Sequence, residues 1–156
     1  MIFVTLGSST QNFNRLLKEI DDLVSQKIIK DVIVQSNSKD YVPTNYKLIS
    51  NLSLDEYSKL IKSCSLLITH GGVGSILDGL KENKTIIAFS RKKEYKEAVN
   101  NHQEEIVNNF SLNGYILTGE IKDLSSLIIK SQKFKPRKFK SNNEKFNFKL
   151  INEIEN

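Results

Sequence analysis

The chain predicts an α/β fold, with one parallel sheet covered by helices on both faces. Short apolar runs alternate with stretches of helical periodicity from Ile2 to Ile129. One run, Leu66-Leu67-Ile68-Thr69-His70, passes through Gly71-Gly72-Val73-Gly74-Ser75 into a helical stretch without a gap. The first run, Ile2-Phe3-Val4-Thr5-Leu6, also ends in a turn of small residues, Gly7-Ser8-Ser9-Thr10. Strands that alternate with helices pair in parallel, and such sheets bind ligands outside the carboxyl ends of their strands.

Each element has its own signal. After the first turn, Phe13, Leu16, Leu17, Ile20, Leu23 and Val24 recur at helical spacing, which predicts an amphipathic helix of roughly four turns. Asp31–Gln35 and Tyr46–Ser50 read as the second and third strands. Ser53 and Glu56 form a Ser-x-x-Glu capping box for a short helix carrying Tyr57, Leu60 and Ile61. Ser65–Thr69 reads as a buried strand and Val73–Lys81 as the helix after it. Thr85–Phe89 is the next strand, and the charged loop Arg91-Lys92-Lys93-Glu94 leads to a helix over about Ala98–Phe110. A short strand at Tyr115–Thr118 and a helix at about Asp123–Ile129 close the pattern.

At 156 residues the chain suits one domain with a full core. Apolar residues make up 38% and charged residues 26%, and no apolar run approaches the ~20 residues of a membrane span. Met1 leads directly into a strand, so no signal peptide and a cytoplasmic location are expected. Cys64 is alone, which excludes an internal disulfide and a cysteine-based metal cage. The net charge of +5 is concentrated between Lys130 and Lys149, where Lys130, Lys133, Lys135, Arg137, Lys138, Lys140, Lys145 and Lys149 face one acid, Glu144. Residues 1–130 therefore read as the Rossmann-like domain, and residues 131–156 as a basic tail, either a mobile arm or a segment that docks on a partner or a membrane. The sheet lacks interleaved aromatics for nucleic acid, so no nucleic-acid partner is expected.

The chemistry concentrates on the sheet's ligand edge. Gly71, Gly72 and Gly74 are expected to admit positive φ and close approach of a ligand. The following helix presents unpaired N–H groups and the positive end of its dipole, a favourable place for phosphate. The alternative is a tight connection and nothing more. Neither loop continues as Gly-Lys-Ser/Thr, which disfavours a P-loop. Neither fits Gly-x-Gly-x-x-Gly with a following acid, which disfavours a dinucleotide. A nucleoside diphosphate held by amides and hydroxyls remains, with no metal and no cofactor expected. Ser75 and Asp78 share a helix face, so Asp78 could accept hydrogen bonds from ribose hydroxyls, or could merely complement the helix dipole. His70 caps its strand at this edge, where a lone histidine is more often a hydrogen-bonded wall than a base. Asn100-Asn101-His102-Gln103 opens a later helix and should face the same crevice. Two histidines without a third ligand make a weak zinc case.

These pieces together resemble the glycosyltransferase family 28 C-terminal domain, the donor-binding half of GT-B glycosyltransferases. The resemblance rests on Phe3-Val4-Thr5-Leu6-Gly7-Ser8-Ser9, on Thr69-His70-Gly71-Gly72-Val73-Gly74-Ser75 with Asp78, and on Asn100-Asn101-His102-Gln103. It covers roughly residues 1 to 118 and extends to small stand-alone subunits. These are the PssE-like subunits of bacterial exopolysaccharide and capsule synthesis, and the catalytic subunit of the eukaryotic dolichol-linked N-acetylglucosaminyltransferase pair. The resemblance implies that Gly7, Ser8, Ser9, Gly71, Gly72, Gly74 and Ser75 surround the diphosphate of a UDP-sugar. It implies that Asp78, where the family usually has glutamate, binds ribose. Asn101, His102 and Gln103 would address sugar and phosphate, with His70 beside them. The acceptor-binding half is then expected on a separate membrane-anchored subunit that presents a lipid-linked saccharide. That subunit would also carry the catalytic base, unless His70 serves. Phe134, Phe139, Phe146 and Phe148 would dock on this partner while the lysines meet anionic lipid. The chain would be peripheral at the inner face of the plasma membrane and inactive alone. The rival expectation is a non-enzymatic module that senses a nucleotide sugar and recruits partners.

Overall fold

A computed structural model describes residues 1–140. The chain runs β1 (Ile2–Thr5), α1 (Asn14–Ser25), β2 (Val32–Gln35), β3 (Leu48–Ile49), α2 (Leu54–Ser63) and β4 (Leu66–His70). It continues through α3 (Val73–Lys81), β5 (Thr85–Phe89), α4 (His102–Leu112) and α5 (Leu124–Ser131), with 3₁₀ turns at Lys93–Tyr95 and Ile121–Asp123. All pairings are parallel, in the order β3-β2-β1-β4-β5. Val4 stands between Val34 and Ile68, and Phe3 between Ile33 and Leu67.

Alternation along the strands divides the core. Val4, Leu6, Val34, Ile68 and Ile87 face α1 and α5, packing on Leu16, Leu17, Ile20, Leu124 and Leu127. Phe3, Leu67, Ile86 and Ala88 face the other way, onto Ile61, Ile76, Leu80, Ile106 and Phe110 of α2, α3 and α4. Strands buried on both faces read as continuous apolar runs, which is why they were visible in the sequence. The capping box of α2 is complete: Ser53 Oγ accepts from Glu56 N, and a Glu56 carboxylate oxygen accepts from Ser53 N. Such a cap stabilises a helix by about 1 kcal/mol.

Two elements differ from expectation. The helix expected from about Ala98 begins at His102, because Asn101 Oδ1 accepts from Lys93 N and Asn100 Oδ1 accepts from His102 N. These side chains hold residues 98–101 in a loop, competing with helical backbone bonds. The strand expected at Tyr115–Thr118 is one parallel bridge, Ile87 to Leu117. Ala88 N and Leu117 N use the bonds available there, to Leu117 O and Ile86 O, and the chain then turns away at Gly119.

The segment after α5 folds back on the domain. Phe134 packs against the α1 and α5 side of the core, and Phe139 against Tyr115 at 6.0 Å. Both are half-buried, so part of their aromatic surface is used within the domain. Phe146 and Phe148 lie outside the described residues, as do Lys145 and Lys149.

Candidate functional site

The strand order places a switch point between β1 and β4. From β1 the chain winds outward to β2 and β3, then crosses to β4 and winds the other way. Loops leaving two such strands diverge above the sheet and leave a crevice. The crevice here lies between Gly7-Ser8-Ser9 and His70-Gly71-Gly72.

The imidazole of His70 fills the base of that gap. A Cβ on Gly7 would fall 2.9 Å from His70 Cε1, and a Cβ on Gly72 would collide with His70 Nε2. Gly7 has φ +73°, so this turn needs glycine for conformation as well as for space. The other loop departs from expectation: Gly71, Gly72 and Gly74 are not among the positive-φ residues, and Gly72 has φ −75°. Their small size matters instead, at two of the three positions. Gly71 abuts Gln103 Cβ and Val107 Cγ2, each 2.9 Å from where its own Cβ would be, whereas Gly74 faces open space.

Thr69 Oγ1 donates to Thr5 O at 3.0 Å and lies 3.3 Å from His70 Nδ1. Its proton is committed, so the hydroxyl oxygen meets Nδ1 as an acceptor, placing the ring proton on Nδ1 and the lone pair on Nε2. Burial, reinforced by the nearby Arg91 guanidinium, lowers the His70 pKa from 6.5 to about 4. The ring is therefore neutral at physiological pH. A base whose pKa lies this far below the working pH is weak.

At α3, Gly72 occupies the N-cap with no side-chain cap bond. Among the described residues no side chain accepts from the amides of Val73, Gly74 or Ser75. The first-turn donors and the positive helix end thus face the crevice.

On the β2 side a pocket of about 270 Å³ opens, lined by Gly7, Ser8, Gln35, Asn51, Tyr57 and Ser75 among others. Gln35 organises it: Nε2 donates to Gly7 O at 3.1 Å and to Ser50 O at 3.2 Å, while Oε1 accepts from Thr5 at 2.8 Å. Asn37 Nδ2 adds a 3.0 Å bond to Ser8 O. Tyr57 bridges from α2, its hydroxyl beside Ser75 and Asp78, and its pKa is raised first by burial. Asp78 lines the adjoining pocket between α2 and α3 with Tyr57 and Ser58. Ser9 Oγ accepts from Gln11 N at 3.1 Å, shaping its own turn.

The third segment joins through Gln103, whose Oε1 accepts from Arg91 N at 3.1 Å while its Cβ covers Gly71. His102 is half-buried, with no hydrogen-bond partner for Nδ1. Asn101 is exposed and engaged with Lys93 N. Gly7, His70, Gly71, Gly72 and Gln103 thus meet, while Asn101 stands on the outer side of its loop. Sequence reasoning missed Gln35, Tyr57 and Arg91. Gln35 carried a legible signal, a polar side chain ending the apolar run Val32-Ile33-Val34. Tyr57 read as an apolar helix residue, and Arg91 as part of a charged loop.

A 3-2-1-4-5 parallel sheet with two small-residue loops and an uncapped helix meeting at its switch point defines a nucleotide-type α/β domain. The chain belongs to the Glycosyltransferase family 28 C-terminal domain, whose profile matches residues 1–154. It is 33% identical over 82 residues to the UDP-N-acetylglucosamine transferase subunit ALG13 of Candida albicans (strain SC5314 / ATCC MYA-2876). That match takes in 53% of this chain and 27% of the length of that curated relative. In three dimensions the chain is similar to the NMR solution structure of ALG13, with TM-score 0.63 and 24% identity, covering 99% of this chain and 96% of that one. It is also similar to the spinosyn forosaminyltransferase SpnP, with TM-score 0.60 and 14% identity, covering 99% of this chain and 39% of that one. At these identities the structural likeness establishes the fold, that of a GT-B glycosyltransferase half. No helix among the described residues is long and apolar enough to cross a membrane.

Proposed function

We propose that this chain is the donor-binding subunit of a two-component, UDP-sugar-dependent glycosyltransferase that extends a polyprenyl-pyrophosphate-linked saccharide, in exopolysaccharide or capsule synthesis. The observation that carries the reading is the uncapped N-terminus of α3, facing the Gly7 turn across a neutral imidazole. Amides of Val73, Gly74 and Ser75, with the Ser75 hydroxyl, hold the diphosphate. The pocket lined by Gln35, Asn51 and Tyr57 lies beside them and receives the nucleoside. Asp78 accepts from the ribose hydroxyls. Gln103 and His102 border the sugar.

In an inverting transfer the acceptor hydroxyl displaces UDP at the anomeric carbon. A base takes the hydroxyl proton, and the departing diphosphate must be stabilised. The helix amides serve the second need. His70, weakly basic in its buried position, acts as a wall and hydrogen-bonding group, and the base comes from a membrane-anchored partner subunit. The partner also binds the lipid-linked acceptor. A two-component arrangement is supported by the word subunit in the name of the Candida albicans relative. The donor in that name, UDP-N-acetylglucosamine, is the first to test.

Calorimetric titration of the purified chain with UDP, UDP-N-acetylglucosamine, UDP-glucose and UDP-galactose tests the donor site. Binding of UDP is expected, weakened about tenfold by Ser75→Ala, a loss of about 1.4 kcal/mol. No binding of any uridine diphosphate ligand would overturn the assignment. Transfer to a polyprenyl-pyrophosphate saccharide is expected only when the partner subunit is added. Retained UDP binding without transfer even then would favour a sensing module.

A further inference from the structure

The sequence presents Arg91 as the first residue of a charged loop, but the structure buries it to 1% exposure, the largest fully buried side chain among the described residues. It lies under the β1–α1 turn. Nη2 donates to Leu6 O at 3.2 Å and Gln11 O at 3.4 Å, and the guanidinium stacks on Phe13 at 5.4 Å. Its backbone N–H donates to Gln103, which covers Gly71. Arg91 thus bonds directly to two of the segments that border the crevice and reaches the third, at Gly71, through Gln103.

Burial disfavours its charge, Glu97 favours it from a distance, and no carboxylate forms an ion pair with it among the described residues. A buried guanidinium ordinarily has a carboxylate against it, since an isolated charge out of water is costly. Here the acid that acts on Arg91, Glu97, is itself 1% exposed and is occupied twice over by Arg15, at 2.7 Å from each carboxylate oxygen, and once by Lys92 N. No ion pair reaches Arg91 among the described residues, and its Nε has no hydrogen-bond partner. A fold that keeps such a charge has a reason outside its own side chains.

We infer that Arg91 is a positioning residue whose buried, unpaired charge is the counter-charge for the diphosphate bound above the Gly7 turn. The inference rests on the donor-site reading. The guanidinium acts through the loop: it fixes the Leu6 and Gln11 carbonyls, so that the Gly7 turn keeps its left-handed shape. It also adds positive potential, in a low-dielectric setting, to that of the α3 terminus. The same charge faces His70 and helps keep that ring neutral.

The test compares UDP with uridine by calorimetry on the full chain, because a counter-charge acts on the phosphates and not on the nucleoside. In Arg91→Met the preference for UDP over uridine is expected to fall at least tenfold, with uridine affinity within about threefold of wild type. The His70 pKa, followed by NMR, is expected to rise. An unchanged preference, or equal loss for both ligands, overturns the inference. Should Arg91→Met fail to show a cooperative thermal transition, Arg91→Lys decides. Retaining the charge, it should keep the preference within about threefold, and a folded Arg91→Lys without that preference overturns the inference. Failure of both variants to fold would assign Arg91 to architecture alone and also overturn it. A wild-type chain that binds UDP no better than uridine would instead sink the donor-site reading itself.

Discussion

The two glycine loops of the crevice look alike in sequence and are built on different constraints. The turn after β1 needs its glycine for backbone conformation, since Gly7 sits at φ +73° with the His70 ring against it. The loop after β4 has ordinary φ values and needs glycine for room: Gly72 against His70, Gly71 against Gln103 and Val107. Gly74 needs neither, for nothing described lies within 4 Å of where its Cβ would be. Glycine that the protein itself does not require is the one most open to a ligand's approach. The comparison therefore separates residues that shape the site from the one that leaves it open.

The largest effect should come from Gly7→Ala. An L-residue in the left-handed region costs about 1–2 kcal/mol, and overpacking against the ring adds about 1–3 kcal/mol. A loss near 4 kcal/mol in denaturant unfolding is expected, and a loss below 1 kcal/mol would show that the turn relaxes freely. Gly72→Ala meets only the second cost, so about 2–3 kcal/mol is expected. Its signature is a displaced His70 ring, visible as a changed imidazole resonance.

A pH titration probes the group both loops share. The folded pKa of His70 is about 4 against an ordinary 6.5. The unfolded chain therefore binds this proton more readily, and stability falls as pH drops through the window from 6.5 to 4. Roughly 3 kcal/mol is at stake, at 1.36 kcal/mol per unit. Full stability holds above pH 7. An NMR pKa for His70 near 6.5 would remove both this dependence and the idea of a neutral wall.

The smallest effect on folding should come from Gly74→Ala. Replacing a helical glycine by alanine in open space stabilises by up to about 1 kcal/mol. If the diphosphate lies on the first turn of α3, the added methyl should nevertheless weaken UDP binding, about fivefold. A more stable variant with unchanged UDP affinity would place the ligand elsewhere.

The sheet, its central strands and the capped α2 were legible because local rules govern them: continuous apolar runs, helical periodicity and a Ser-x-x-Glu cap. The strand at Tyr115–Thr118 was over-read, since an apolar run reports burial and not how many bonds its neighbour can offer. The loop at 98–101 was over-read as helix because Asn100 and Asn101 act through side-chain bonds to particular amides, which periodicity does not register. Within the site, the glycine loops and His70 stood out by position. Gln35, Tyr57 and Arg91 did not, because each matters through partners distant in sequence, 12 to 85 positions away for Arg91.

By itself the sequence determined a parallel α/β sheet and the identity of the loops at its ligand edge, since period and punctuation are properties of neighbouring residues. Tertiary structure alone decided what those loops surround: a neutral imidazole, a bridging tyrosine and a buried cation with no ion pair of its own. Burial and electrostatic company arise only when distant segments share one low-dielectric space, and no reading along the chain can supply them.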